Sequence, residues 1–407
     1  MSVIVKKFGG TSVGDTTKIK NVAKQIIRAI ELGHQVVVVV SAMGGGTDRL
    51  IALAEEISTS PPERELDVLL STGEQVSIAL LAMAVSELGY EAISLTGNQV
   101  GILTDGFYSN ARIVSINNAR ILTELDLGKV VILAGFQGVT IDDEITTLGR
   151  GASDTTAVAV AASLSAERCE IYTDVDGIFT ADPRTVKNAR KLDQITHEEM
   201  LEMAGLGAKV LHSRSVELAQ KFEVPLVVRS SFHRGEGTII VKESEMMERV
   251  VVSGVTSNKD QAKISLIGIE DKPGVAAKVF QAVAEQKINI DMIIQNIGHD
   301  GTTDLSFTVS EKDLSSTVDI IEEVRRQIKI VTVETDSNIS KVSVVGIGMV
   351  SHVGIAAKMF SALAIENINI QMISTSEIKI SCVIDQSQTE KAVQMVHDSF
   401  DLGRSIS

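Results

Sequence analysis

The feature that most constrains this chain is an internal repeat. GVAAKVFQAVAEQKINIDMI at 274–293 and GIAAKMFSALAIENINIQMI at 354–373 agree at twelve of twenty positions with a constant offset of 80. Chance is not a serious rival for such a match, so a whole supersecondary unit occurs twice, and two like modules can pack on one another. Each copy reads strand, Gly turn, helix, strand, strand, helix. In the first copy, strands at 264–269, 288–297 and 303–309 surround helices that begin at Gly274 and Leu314, and a last strand at 329–334 completes a βαββαβ unit. In the second copy only DLGRSIS (401–407) remains where the final strand belongs. An open apolar edge invites aggregation, so the orphan strand VVVSGV at 250–255 is expected to fill it.

The first 240 residues follow another rhythm. VVVVV at 36–40 and VVILA at 130–134 are unbroken apolar runs, the pattern of parallel strands buried on both faces. Ile19, Val22, Ala23, Ile26, Ile27 and Ile30 recur at three- and four-residue spacing, which places one apolar face on a helix over 16–32. With apolar helices at 68–84 and 155–166, the alternation predicts an α/β sandwich whose ligands sit beyond the carboxyl ends of a mainly parallel sheet. The charged stretch KESEMMER at 242–249 reads as a linker. The expected division is a domain over 1–245, a first repeat module with the linker strand over 246–336, and a second module over 337–407. A chain of 407 residues suits two or three domains at about 100 to 200 residues each.

Charge and cysteine usage exclude several function classes. Thirty-eight Lys and Arg face 53 Asp and Glu, a formal charge of −15, which opposes nonspecific attraction to nucleic acid or anionic lipid. Any phosphate site must therefore be local. The two cysteines, Cys169 and Cys382, are 382 − 169 = 213 positions apart, which supplies neither a disulfide framework nor a C-x-x-C pair. The N-terminus lacks the basic and apolar regions of a signal peptide, and no stretch approaches the ~18 apolar residues of a membrane span. The expectation is a cytoplasmic protein with no nucleic acid or membrane partner.

Several motifs carry chemistry. VIVKKFGGTSVG at 3–14 runs a short strand into a Gly-Gly turn and a helix, so backbone amides near Gly9 and Gly10 can face an anion. Lys7 ends the strand; an ammonium ~4 Å from a phosphate oxygen at an effective dielectric near 20 is worth ~4 kcal/mol before desolvation. Ordinary loop geometry would explain this motif if it stood alone, and the chain has no Walker A sequence, which excludes P-loop nucleotide binding. TLGRGASD at 147–154 leads into an apolar helix. Ser153 or Asp154 suits its N-cap, and Arg150 between two glycines suits bidentate capture of a carboxylate. YTDVDGIFTADPR at 172–184 has Asp174, Asp176 and Asp182 in successive turns but lacks the EF-hand ligand pattern. SAMGGGT at 41–47, STGE at 71–74 and GAKVLH at 207–212 are plain by themselves. Together the motifs supply an amide cradle, lysines, an arginine, a carboxylate and hydroxyls at strand-to-helix loops, an inventory that suits phosphoryl transfer.

KFGGTSV from Lys7, STGE from Ser71, GRGASD from Gly149, TDVDGIFTADPR from Thr173 and GAKVLH from Gly207 occur in that order before two ACT-type repeats. The whole chain thereby resembles the monofunctional aspartokinases. The resemblance implies an amino-acid-kinase three-layer sandwich followed by two ferredoxin-like ACT domains, and transfer of the ATP γ-phosphoryl group to the side chain of L-aspartate, giving 4-phospho-L-aspartate. That is the committed step toward lysine, methionine and threonine. It implies that Lys7, Phe8, Gly9 and Gly10 hold the ATP phosphates, and that Thr47, Glu74, Arg150, Gly151, Ala152 and Ser153 bind aspartate, Arg150 taking the α-carboxylate. Asp154 would organise the site, with Lys7 and Lys209 as the phosphate cations. Thr173, Asp174, Phe179, Arg184, Lys209 and Val210 would line the nucleotide, and Mg2+ would come with ATP. In the repeats, Asp271, Gly274, Asn289, Ile290, Asp291 and Gln295, with Asn369 and Ile370, would bind a feedback effector, lysine or threonine or both.

The resemblance also implies a homo-oligomer through the ACT domains and, by analogy with related genes, a shorter regulatory subunit started near Met246 or Met247. The sequence departs from the family pattern at Ala152, where Gly is usual, at Ser213, where Pro is common, and at Val350 and Val353, which replace Arg and Pro. Two rival readings are an acetylglutamate or glutamate 5-kinase, which shares the fold but not the repeats, and a catalytically silent amino-acid sensor.

Overall fold

The computed structural model describes residues 2–208, 210–243, 251–297 and 301–404. Its first unit comprises Met1–Ile178, Lys191–Gly205 and Lys209–Met247; the second comprises Phe179–Arg190, Leu206–Ala208 and Glu248–Ser407. In chain order the first unit contains β1 (Val3–Phe8), α1 (Thr16–Glu31), β2 (Gln35–Val40), α2 (Gly46–Ile57), α3 (Glu63–Glu87), β3 (Ala92–Leu95), β4 (Ile102–Thr104), β5 (Ile113–Ile116), α4 (Ala119–Asp126), β6 (Val130–Ala134), β7 (Gln137–Val139), β8 (Ile145–Thr147), α5 (Ser153–Ser163), β9 (Arg168–Thr173), β10 (Gln194–Thr196), α6 (His197–Gly205), α7 (Ser213–Lys221), β11 (Leu226–Ser230) and β12 (Thr238–Val241).

Eight of these strands form one sheet in the order β10-β12-β11-β9-β1-β2-β6-β3. Every neighbouring pair is parallel except β11 with β12. The valine run of β2 is wholly buried because α1 and α3 cover one face of the sheet and α5 the other. Alternation along β1 sends Ile4, Lys6 and Phe8 to the α1 face and Val5 and Lys7 to the α5 face. Helix α1 starts where Asp15 accepts the Lys18 N–H at 2.8 Å. A small sheet, β5-β4-β7-β8, flanks the main one; its strands of three or four residues have no readable periodicity.

Helix α3 corrects one expectation. It contains an 18-residue window of mean hydropathy 1.7, long and apolar enough by composition to cross a membrane. Its place is nonetheless within the first unit, where Asp67, Ser71, Glu74 and Ser77 are buried along it and Leu81 and Val85 join the sheet core. Asp67 accepts the Thr147 N–H at 2.8 Å and its hydroxyl at 2.7 Å, bonds that a lipid-facing helix would leave unmade.

The second unit contains β13 (Gly254–Asn258), β14 (Ala262–Glu270), α8 (Val275–Glu285), β15 (Ile290–Ile297), β16 (Thr302–Val309), α9 (Leu314–Val324), β17 (Thr332–Asp336), β18 (Ile339–Val345), α10 (Ile355–Ile365), β19 (Met372–Thr375), β20 (Lys379–Asp385) and α11 (Thr389–Ser399). Two four-stranded sheets result, β15-β16-β14-β17 and β19-β20-β18-β13. The repeat is visible in the backbone: Gly274 and Gly354 cap α8 and α10 in the same left-handed conformation, with φ of 92° and 89°.

The open edge of the second module is filled as expected from pairing rules, by an antiparallel strand beside β18. That strand lies at Gly254–Asn258, a few residues beyond the expected 250–255, and it belongs to the second module's sheet rather than the first's. The Ser253 N–H already bonds the Val345 carbonyl at 2.8 Å, while Val252 turns into the apolar core. Met292 and Ile294 pack with Ile339, Met372 and Val383, an apolar seam joining the two modules. Most of the linker at 242–249, with Met246 and Met247, lies outside the described residues.

Candidate active site

At the carboxyl ends of β1 and β2 the first unit opens a cleft of about 800 Å³. Of the residues singled out from sequence, Lys7, Gly10, Thr47, Glu74, Arg150, Gly151, Ser153, Asp154, Thr173 and Val210 line it. The loop after β1 makes a tight turn, with the Ser12 N–H on the Gly9 carbonyl at 2.9 Å. Gly10 lies so close to the loop after β2 that a Cβ would sit 2.9 Å from the Ala42 carbonyl oxygen, so only glycine fits.

Two polar centres face this space. Lys7 Nζ lies 2.7 Å from Asp154 Oδ1, with both side chains about nine-tenths buried, and the His212 backbone N–H reaches Asp154 Oδ2 at 3.2 Å. Asp154 is thus spent on the lysine and on the loop before α7 rather than on capping α5. The cap position is Ala152, without a side-chain bond, which corrects the expectation that Ser153 or Asp154 takes that role. The second centre is Glu74, which is 2% exposed. Its Oε1 accepts the Ala42 N–H at 2.9 Å, whereas its buried Oε2 has no partner among the described residues. Burial pushes this carboxyl from 4.5 to about 7 despite the Ala42 bond.

Arg150 is exposed at the rim and paired with Asp48 at 3.0 Å. An exposed pair of this kind is worth about 0–1 kcal/mol, so a ligand carboxylate displaces Asp48 at little cost. His212 lies against Gly151, and desolvation lowers its pKa. The site can therefore gather negative charge around the buried Lys7 and the rim guanidinium of Arg150 and offer a lone carboxylate to a cation, which suits positioning two charged substrates for group transfer.

Other expected residues fall elsewhere. Phe8 is fully buried and stacks on Tyr172 with ring centroids 4.6 Å apart, a core role set by strand alternation. Ala152 is also fully buried, packed with Leu70, Phe136 and Leu148, so its methyl fills the core. Gly9 sits in the turn beside Lys7 Nζ but does not line the cleft. Asp174 is exposed and takes the Thr173 hydroxyl at 3.1 Å. Phe179 and Arg184 belong to the segment Phe179–Arg190 of the second unit, where Arg184 Nη2 bonds Asp182 at 2.9 Å. Lys209 lies outside the described residues.

Sequence reasoning missed Asp48, His212 and above all Asp67. Asp67 precedes Glu74 by seven residues on the same helix face, and a carboxylate pair at that spacing inside an apolar helix was the available signal. Asp67 positions the strand leading into the GRGASD loop through Thr147, and the 109 loop through the Ser109 N–H at 2.9 Å.

In the second unit, Asp271, Gly274 and Gln295 line a cavity of about 480 Å³ with Ile269, Lys272 and Thr303. The other expected effector residues do not line it. Asp291 is drawn to Lys341. Ile290 and Ile370 pack on the cores of their modules, and Asn289 and Asn369 are exposed. Among the described residues, no group of three or more His, Cys, Asp or Glu could hold a metal ion.

The parallel sheet and its anion-gathering cleft define an amino-acid kinase, and residues 2–230 match the amino acid kinase family while 264–324 and 342–400 match an ACT domain. The chain is 53% identical over 404 residues to an aspartokinase of Pseudomonas aeruginosa, covering 99% of this chain and 98% of the relative. It is 50% identical over 407 residues to aspartokinase 2 of Bacillus subtilis, covering 100% of both. Escherichia coli aspartokinase III in complex with aspartate and ADP, in the R state, superposes with a TM-score of 0.83 at 26% identity, covering 98% of this chain and 99% of that one. The T-state form of that enzyme, with lysine and aspartate, gives 0.75 at the same identity, with the same shares of each chain covered. The chain belongs to the aspartokinase family and is of the monofunctional type with C-terminal ACT domains.

Proposed function

We propose that the cleft binds MgATP and L-aspartate side by side and transfers the γ-phosphoryl group to the aspartate side-chain carboxylate, giving 4-phospho-L-aspartate, the first step toward lysine, methionine and threonine. The observation that carries this reading is the buried Glu74 with its partnerless Oε2, in the same cavity as the Lys7–Asp154 pair. A carboxylate left this way needs a cation, and the ammonium of an amino acid supplies one.

Arg150 takes the α-carboxylate, with Thr47, Gly151 and Ser153 completing the amino-acid pocket. Lys7 neutralises charge that develops on the transferring group, aided by the amides of the Gly9–Gly10 turn and by Lys209. Asp154 orients the Lys7 ammonium. It has no proton to remove, because the nucleophile is already a carboxylate. Thr173, Asp174 and Val210 border the nucleotide. Mg2+ enters on the phosphate oxygens, and the described residues contribute no cage of their own. Regulation is by lysine, with threonine as a second candidate, acting on the cavity at Asp271, Gly274 and Gln295. By linkage an effector inhibits only to the extent that it prefers the inactive arrangement.

The domains proposed are 1–245 for catalysis and 246–336 and 337–407 for regulation. The protein works in the cytoplasm as a homo-oligomer through its ACT modules. Hydroxamate trapping of the product with aspartate and MgATP, and with acetylglutamate or glutamate in parallel, tests the reaction. Turnover with either rival acid but not with aspartate overturns it, and turnover with none revives the sensor reading. Lysine and threonine added singly and together test the regulation.

A further inference from the structure

On the face of β1 opposite Lys7, the first unit has a second cavity of about 590 Å³ that shares no lining residue with the catalytic cleft. Its floor is a buried polar cluster. Lys6 Nζ lies 2.5 Å from Glu170 Oε2 and 2.9 Å from the Tyr172 hydroxyl, and Arg168 Nε donates to Glu170 Oε1 at 2.8 Å. Arg229 Nη2 is 3.6 Å from the same oxygen, while its buried Nε has no acceptor among the described residues. Burial alone would raise the Glu170 pKa, yet these cations hold it at about 2, so it stays ionised and is committed to the floor. Seven Lys and Arg side chains line the cavity against this one carboxylate, in a chain whose net charge is −15. Lys24 and Arg28 on the exposed side of α1, and Arg234 on the loop after β11, have no ion-pair partner among the described residues.

Cations gathered in a half-enclosed space repel one another, and a chain this acidic has carboxylates in plenty with which to neutralise them. Their segregation here calls for an anion supplied from outside. One phosphate carries at most two charges; with Glu167 on Arg168 and Asp15 on Lys18 counted beside Glu170, seven cations against three carboxylates still leave a surplus of four. Guanidinium forks suit phosphate oxygens, and the volume lies in the range of small-molecule pockets. Phe232, 48% exposed on the cavity wall, offers an apolar surface to the organic part of such a ligand.

We propose that this cavity is a binding site, separate from the catalytic cleft, for a small molecule carrying two or more linked phosphate groups. The site borders the catalytic strands from behind. Lys6 and Lys7 are consecutive on β1, the Tyr172 carbonyl accepts the Gly9 N–H at 3.4 Å, and the Ser231 N–H bonds the Thr173 carbonyl at 2.8 Å.

Inorganic pyrophosphate is the probe, measured by equilibrium dialysis of the full chain at low salt. Lys7→Ala removes one of the two phosphate cations proposed for the catalytic cleft, the other being Lys209. In that background pyrophosphate still binds, and adding Lys24→Glu with Arg28→Glu weakens it at least tenfold. Both residues lie on the solvent side of α1, so the fold survives, as far-UV circular dichroism will show. Raising the salt from 50 to 300 mM weakens binding in the Lys7→Ala protein as charge screening requires. The proposal is overturned if pyrophosphate binding disappears with Lys7→Ala alone, or if the two charge reversals on α1 leave it unchanged.

Discussion

Replacing Glu74 by Gln sets stability against substrate binding in a way only a buried, unpaired carboxyl produces. In the folded protein this group keeps its proton up to about pH 7, whereas in the unfolded chain it ionises near 4.5. Between those values the unfolded state binds fewer protons, so stability falls as pH rises through the window. The group costs nothing below the lower value and its full penalty above the upper one. At about 1.4 kcal/mol for each pH unit between 4.5 and about 7, the penalty is about 3 kcal/mol at pH 8.

Gln is neutral throughout and retains an acceptor for the Ala42 N–H. Glu74→Gln should therefore be about 3 kcal/mol more stable than the parent at pH 8, and nearly equal to it at pH 4.5, when neither has substrate. If Glu74 receives the aspartate ammonium, the same change removes a charged hydrogen bond worth about 1.5–3 kcal/mol, and KM for aspartate rises between about tenfold and hundredfold. The chain has no Trp, so urea unfolding is followed by far-UV circular dichroism at both pH values, with initial rates at pH 8. A variant no more stable at pH 8 would refute the burial argument. A stabilised variant with unchanged KM would refute the assignment of Glu74 to the ammonium.

Lys7→Met is expected to lower kcat by about 10²–10³, the usual loss for one preorganised donor to developing charge, while the circular dichroism spectrum stays that of the parent. Asp271→Ala should raise the lysine concentration for half-inhibition at least tenfold in the hydroxamate assay; an unchanged value would remove this cavity from regulation. The two thiols are free and fully buried, with Cys169 pushed up by desolvation and Cys382 pushed up to about 12. Neither should react with an aromatic disulfide reagent at pH 8 until urea is added, when both should.

The elements that could be read from the sequence are those whose burial is one-sided or complete. The unbroken valines of β2 and the apolar face of α1 fall where periodicity puts them, and the repeat gives both modules their strand order. Helix α3 was read too short, as 68–84 against Glu63–Glu87, because its first turns carry Glu63, Glu65 and a buried Asp67 that break the apolar pattern. The edge strand was displaced because an apolar run attracts the reading, while the ladder is set by β18, which pairs with Val255 and Ser257 through Val344 and Val342. Nothing local announces the small sheet of β4, β5, β7 and β8.

The site was legible to a different depth. Motifs named the side chains but not the faces they serve, and one strand shows why. In KKF at 6–8, Lys7 reaches the cleft, whereas Lys6 and Phe8 turn the other way, Lys6 onto Glu170 and Phe8 onto Tyr172. Composition treats the two lysines alike, and alternation separates them only once the α5 face is known to carry Asp154. The same holds for the carboxylates. Asp67 and Glu74 lie two turns apart on α3, yet Asp67 is satisfied by Thr147 and Ser109 while one oxygen of Glu74 has no partner among the described residues. That difference exists only in the packed structure. An unsatisfied buried oxygen costs stability in the empty protein. On the proposed reading, the ammonium of the substrate supplies the missing partner.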